Sequence, residues 1–373
     1  MKLTLIAGEP SGDRLGAALM QALKTLVPNL QFHGIGGPLM QAEGLASLFP
    51  MEELSVMGIA EILPKYRALK RRIAQSAAAT LAENADALIT IDSPDFCLRV
   101  AKIVKAARPA MKTIHYVAPS VWAWRPGRAA KMAAYIDHVL ALLPFEPPLM
   151  QAAGMTCDFV GHPVVSEPLA LKTPQTSPLI LALPGSRRGE VSLLAPIIGQ
   201  TLALLKAHHP TARVALPTVR GVAPLVRDLT RDWPIQPDII EDATHKRAAF
   251  ANATVAIAAS GTVSLELAAN ACPMVIAYKM NPITLWLMRR AALVDTVTLV
   301  NLVSETRTIP EFLGPDCTAQ NLAPALLSLM QNGPATAAQH AAMHLTMQRL
   351  GQGGEPPNLR AAHSVLKALN RAF

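Results

Sequence analysis

Cysteine is scarce in this chain: Cys97, Cys157, Cys272 and Cys317 are the only four in 373 residues, and none forms a CxxC pair. Neither a disulfide scaffold nor a zinc ribbon fits that spacing, and a reducing cytoplasm suits it. Aromatic residues make only 4% of the chain, and no RNP sequence, zinc finger or run of five like charges occurs, so nucleic acid is not the expected partner. Long apolar runs are missing as well. The most apolar stretch, Ala253 to Tyr278, is interrupted by Ser260-Gly261-Thr262, Glu266 and Pro273, and reads as strand, turn, helix, strand rather than a membrane span. The opening Met1-Lys2-Leu3-Thr4-Leu5-Ile6-Ala7-Gly8 carries one cation and an apolar run too short for an export signal.

What is present is apolar and basic. Hydrophobic residues make 51% of the chain and its formal charge is +8, with a mean hydropathy of +0.28. Such a chain folds around a large core and suits an anionic ligand or an anionic lipid surface. At about 150 residues per domain the length implies two domains. Short apolar runs alternate with helical patterns, the signature of parallel sheets wound through βαβ units. Strands are expected near 2–7, 31–35, 87–91, 112–117, 138–142 and 157–160, then near 178–183, 212–216, 235–240, 254–259, 274–278 and 296–300. The fold class is therefore α/β, with two doubly wound, Rossmann-like parallel-sheet domains. The turn formers between Gly161 and Pro178 mark the joint, giving an N-terminal domain over 1–165 and a C-terminal domain over 166–345.

Ligands of such sheets bind beyond the carboxyl ends of the strands, so the residues there are the candidates. After the first strand, Gly8-Glu9-Pro10-Ser11-Gly12-Asp13 offers Ser11 as a helix cap and Gly12 as a point of close ligand approach, making Glu9, Ser11 and Gly12 a substrate loop or merely a well-capped turn. Ile91-Asp92-Ser93-Pro94-Asp95 leaves Asp92 at a strand tip, where its carboxylate can take a proton from an attacking hydroxyl; the alternative is a helix cap, the reading favoured for Asp95. Pro184-Gly185-Ser186-Arg187-Arg188 sets guanidinium groups beside free helix amides, which suits a diphosphate unless the turn is only a solvated basic one. Ala259-Ser260-Gly261-Thr262 opens another helix, in which Glu266 stands among apolar residues. It needs a partner, either a ribose diol or an internal Lys or Arg.

His115 and His208-His209 have no metal-ligand spacing, and no metal or other cofactor is expected. Trp122 and Trp124, followed by Arg125, Arg128 and Lys131, can stack a base or pack beneath a long loop. The segment Ile59 to Ile73 includes Ile62, Leu63, Leu69, Arg71, Arg72 and Ile73, and Trp286-Leu287-Met288-Arg289-Arg290 is similar. Each reads either as a patch for anionic headgroups and a lipid tail or as an amphipathic helix packed on its own sheet.

Several of these motifs occur in one ordered series: Ala7-Gly8-Glu9-Pro10-Ser11-Gly12-Asp13, Met51-Glu52-Glu53-Leu54-Ser55-Val56-Met57-Gly58, Ile91-Asp92-Ser93-Pro94-Asp95-Phe96, His115 through Trp124, Leu142-Leu143-Pro144-Phe145-Glu146, Phe159-Val160-Gly161-His162-Pro163, Pro184-Gly185-Ser186-Arg187 and Ala259-Ser260-Gly261-Thr262. The series resembles the lipid-A-disaccharide synthase family over nearly the whole chain. The resemblance implies a GT-B glycosyltransferase, with two Rossmann-like domains facing across a cleft and the C-terminal helix, in about 346–373, returning to the first. It implies inverting transfer from UDP-2,3-diacylglucosamine to 2,3-diacylglucosamine 1-phosphate (lipid X), without a metal. It makes Asp92 the general base and Arg187 the diphosphate ligand. Glu266 holds the ribose, Ser260, Gly261 and Thr262 lie near the phosphates with Ser186, and Asn301 is close to the nucleotide. Val300 stands where the family often has proline, and Gly314 where glutamine is common. The implied setting is the cytoplasmic face of the inner membrane, bound peripherally to its anionic surface, with a homodimer left open. The rival readings are a UDP-N-acetylglucosamine 2-epimerase and a non-catalytic nucleotide or membrane-surface sensor.

Overall fold

The computed structural model describes residues 1–54, 59–280 and 282–370; for 59–66, 282–284, 287 and 289 the course of the backbone alone is described. The motif residues Ser55, Val56, Met57 and Gly58 lie outside the described residues. Two compact units account for the chain: Met1–Pro163 together with the chain from Gly353 onward, and Val164–Gln352.

In the first unit the strands are β1 Lys2–Ala7, β2 Gln31–Ile35, β3 Ala46–Ser47, β4 Ala87–Ile91, β5 Lys112–Tyr116, β6 His138–Ala141 and β7 Thr156–Phe159. They form one parallel sheet in the order β3-β2-β1-β4-β5-β6-β7. Helices cover both faces of a parallel sheet, so its central strands are buried without alternation. All five residues of β4 are buried accordingly. The helix Pro357–Ala368 closes this unit, contributing Ala361, Ala362, Val365 and Leu366 to its core. Ser364 on that helix bonds His138 Nε2 at 2.7 Å and donates to Asp158 at 2.8 Å.

The second unit repeats the plan with β8 Leu179–Leu183, β9 Arg213–Pro217, β10 Pro237–Ile240, β11 Val255–Ala258, β12 Met274–Tyr278 and β13 Glu311–Leu313. Their order is β10-β9-β8-β11-β12-β13, again all parallel. Here the sequence reading needs correction, because 296–300 is not a strand. The Glu311 carboxylate accepts the Thr296 hydroxyl and the Val297 and Thr298 amides. That side chain satisfies amides that a neighbouring strand would otherwise have to meet. The chain then enters a helix at Leu299, and the edge strand is β13. Among the described residues, Arg188–His208 is the one helix long and apolar enough to cross a membrane. Its Val191, Leu194, Ile198, Leu202 and Leu205 are instead part of this unit's core.

Candidate active site

Each sheet has a point where the strand order reverses, and ligands of doubly wound sheets collect at the carboxyl ends there. In the first unit that point lies between β1 and β4. The two loops that flank it are Gly8–Gly12 and Asp92–Ser93.

Asp92 follows the last residue of β4, and its N–H donates to the Tyr116 carbonyl of β5 at 2.9 Å. Its φ is +52°, that of Ser93 is +42°, and Val117 at the tip of β5 has +82°. Side chains other than glycine pay roughly 1–3 kcal/mol for such backbone, and it persists where surrounding structure enforces it, often at functional sites. Burial raises the Asp92 carboxyl above the ordinary carboxylate value, while the Ser93 amide pulls the other way. Among the described residues no cation pairs with it. A carboxylate in this state is a stronger proton acceptor than a solvated one. Asp95, by contrast, is exposed and meets Arg128 at 3.3 Å.

The substrate loop differs from its sequence reading. The helix begins at Pro10, with Glu9 rather than Ser11 in the cap position and no side chain capping it; Ser11 is an exposed residue of the first turn. Gly12 is buried because the helix packs tightly on the sheet: a Cβ there would lie 3.3 Å from Ala7 Cβ and from the Ile91 carbonyl. Glycine here serves helix–strand approach rather than ligand access. Gly8 is tighter still, since a Cβ would meet Ser93 Oγ at 2.6 Å and Ser93 Cβ at 2.9 Å. The two loops thus fix one another. Gly8→Ala is expected to push Ser93 and with it Asp92, lowering kcat by about a hundredfold, since misplacement by an ångström costs that much. Steady-state assay beside a thermal melt checks this; an unchanged kcat would reduce Gly8 to packing alone.

Asp13 is buried and accepts from the Gly37, Leu39 and Met40 amides, capping the helix Pro38–Ala42, a partner that no local sequence pattern marks. His115 is buried beside Thr90, with its pKa lowered to about 4 by burial, as expected of a structural histidine. Glu146 is also buried, and burial pushes it to about 7 although the Leu143 amide, the Trp122 indole and the Leu142 amide all donate to its carboxylate. Trp122 also meets the Phe145 ring edge-on, 5.3 Å between centroids. Two motifs that are separate in sequence therefore form one cluster.

The membrane patch on the helix Ile59–Ala82 is largely corrected. Ile73 is in the core and Leu69 packs against it. Arg72 is held by both Glu53 oxygens at 2.8 Å and lies over Phe49. Only Arg71 of the residues proposed there is exposed, beside Arg67 and Lys70; the side chains of Ile62 and Leu63 lie outside the described residues. On the helix Pro282–Ala291, Trp286 and Met288 are 58% and 49% exposed.

In the second unit the order reverses between β8 and β11. The loops there are Gly185-Ser186-Arg187 and Ala259-Ser260-Gly261-Thr262, and both line a cavity of about 530 Å³, a size that suits a nucleotide. Arg187 immediately precedes the helix Arg188–His208, whose first amides have no partner within the helix. Its guanidinium bonds Glu190 at 3.0 Å. Gly185 has φ +106°, and a Cβ on it would strike the Glu190 carboxylate, so this glycine answers two demands. Ser260 Oγ donates to the Val297 carbonyl at 3.1 Å. Glu266 has found the internal partner, Lys246 Nζ at 2.6 Å, and both residues line the cavity. Of its four lone-pair positions the lysine uses one, so a diol can still be accommodated.

Asn301 is corrected more firmly. It is buried, its amide nitrogen donating to the Ile309 carbonyl at 2.9 Å and to Thr296, and its oxygen accepting from the Ile309 amide. It does not line the cavity. Its place is to hold the loop whose Val297 carbonyl receives Ser260. Lys246, Thr218 and Phe250 do line the cavity; they are far from the glycine-rich turns in sequence, and no local pattern marks them.

Two parallel Rossmann-like units of this kind define the GT-B class, a fold that nucleotide-sugar glycosyltransferases and epimerases share. Among solved structures, a UDP-GlcNAc 2-epimerase from Neisseria meningitidis bound to UDP-GlcNAc has a TM-score of 0.65 at 11% identity, over 99% of this chain and 100% of that one. A glycosyltransferase from Rickettsia africae has 0.59 at 14%, over 100% and 99%. These likenesses concern the fold. The chain belongs to the lipid-A-disaccharide synthase family: the family model described as lipid-A-disaccharide synthetase matches residues 3–362. The lipid-A-disaccharide synthase of Ruegeria pomeroyi is 58% identical over 99% of this chain and 96% of that protein.

Proposed function

We propose that this protein is an inverting glycosyltransferase. It joins UDP-2,3-diacylglucosamine to 2,3-diacylglucosamine 1-phosphate and releases UDP and the β(1→6)-linked disaccharide 1-phosphate of lipid A. The observation that carries the reading is Asp92, a half-exposed carboxylate with a raised pKa, paired with no cation among the described residues, on strained backbone at the switch point of its sheet.

Asp92 accepts the proton of the acceptor's 6-hydroxyl while that oxygen attacks the donor's anomeric carbon. The bond from that carbon to the diphosphate breaks on the opposite face, inverting its configuration, and the electron pair leaves with UDP. The charge that grows on the diphosphate is met by Arg187 and the first amides of the helix Arg188–His208, donors already in place before it develops. Ser186 and the Ser260–Thr262 loop flank the phosphates, and Glu266, held by Lys246, accepts from the ribose. Attachment to the anionic inner leaflet draws on the exposed Arg67, Lys70 and Arg71 and on Trp286 and Met288.

The test is UDP release from UDP-diacylglucosamine, measured with and without the monosaccharide acceptor. Release that needs the acceptor supports transfer. Conversion of the donor without acceptor would indicate an epimerase, and binding without turnover a sensor.

A further inference from the structure

The loop that follows β5 carries groups that the chemistry at Asp92 leaves unused. Its anchor is Trp122, fixed by Glu146 and Phe145. Trp124 is 45% exposed, and the Arg125 guanidinium lies 4.1 Å above its ring. Arg128 follows one turn on, its N–H donating to the Arg125 carbonyl at 3.0 Å, with its guanidinium only loosely engaged by the exposed Asp95. Arg125 itself has φ +52°. The loop is thus a braced platform that leaves the Arg125 guanidinium and the Trp124 indole exposed and holds the half-buried Arg128 against Asp95, which is costly backbone for a mere connection.

Its position relates to the base. Asp92 N–H bonds the Tyr116 carbonyl, so the tips of β4 and β5 are tied side by side, about 4.8 Å apart as neighbouring strands are. On a pyranose, C5 and C1 both flank the ring oxygen, so the 1-substituent lies within a ring's width of the 6-hydroxyl. With the hydroxyl at Asp92, the anomeric phosphate falls close by, and the adjacent strand's loop is the place for its counter-charges. Arg72, Lys105 and Lys24 of this unit are paired more closely than Arg128 is, with Glu53, Asp137 and Glu43.

Resting on the transfer reading above, we propose that Arg125 and Arg128 form the binding site for the acceptor's 1-phosphate, with Trp124 positioning the Arg125 guanidinium. Guanidinium forks suit a phosphate monoester, which offers them paired oxygens.

The experiment compares kcat/KM for the acceptor and for the same diacylglucosamine lacking its 1-phosphate, in detergent micelles, for the parent and for Arg125→Gln/Arg128→Gln. The parent prefers the phosphorylated acceptor; in the double variant that preference falls by about 10- to 100-fold, the worth of one or two charge-assisted bonds, while the Kd for UDP and the thermal midpoint hold. An unchanged preference overturns the proposal. So does a defect seen on vesicles of anionic lipid but absent in micelles, since it would make the loop a membrane contact. A parent that releases UDP without regard to any acceptor would overturn the transfer reading itself, a result distinct from either.

Discussion

Asp92→Asn is expected to lower kcat by about 10²–10⁴-fold, the usual contribution of a general base, and at the same time to make the protein more stable. The first effect follows because an amide cannot accept the hydroxyl proton. The second follows from burial: the folded state raises the carboxyl's pKa, so ionising it costs more in the folded protein than in the unfolded chain. Between the ordinary carboxylate value and the raised one the folded state binds more protons, and stability falls as pH rises through that interval. The asparagine variant lacks this slope. Its thermal midpoint exceeds the parent's at pH 8, and the difference closes toward acid. In the parent, kcat/KM falls as pH drops through the raised pKa, so its acid limb lies above the position a solvated aspartate would give. Melts and rates across one pH series test both halves. A variant that turns over at the parent's rate would remove Asp92 from the chemistry, and one that melts lower at every pH would make it a structural group.

The two sheets could be read from the chain because a parallel strand buried on both faces is a continuous apolar run; Ala87–Ile91 and Leu179–Leu183 show it. The glycine-rich turns were legible for the same local reason, and they stand at the two switch points. Partners separated by many residues were not legible. Glu146 meets Trp122 across 24 positions, Asp13 caps a helix 24 to 27 positions away, and Lys246 reaches Glu266 from another helix. Periodicity says which face of an element is buried but not which polar group lies opposite. The same limit explains 296–300: its β-branched residues fit a strand, and only the approach of Glu311 from β13 decides otherwise. On the helix Ile59–Ala82 a mixture of apolar and cationic residues fitted a lipid surface and a packed amphipathic helix equally, and the burial of Ile73 decides for packing there.

Arg187→Ala is expected to lower kcat/KM by about 10²–10³-fold, in line with removing a donor aimed at charge that develops in the transition state. Its pairing with Glu190 raises the question whether that carboxylate blocks the diphosphate. Arg187's side chain is 65% exposed, and exposed pairs contribute about 0–1 kcal/mol. Two parallel guanidinium–phosphate bonds are stronger and leave the surface pair easily exchanged. Glu190 therefore serves to aim the guanidinium before the donor arrives. Arg187→Lys separates charge from shape: a lysine restores a positive point but not the planar fork, so it recovers only part of the loss. Because the charge grows as the bond to UDP breaks, the greater part of the alanine defect falls on kcat, with a smaller rise in KM for the donor. Equal loss in the lysine and alanine variants would show that geometry alone matters, whereas full recovery by lysine would show that charge does. A loss confined to KM would mean that Arg187 holds the donor's diphosphate equally before and during transfer, leaving the helix amides to meet the departing charge.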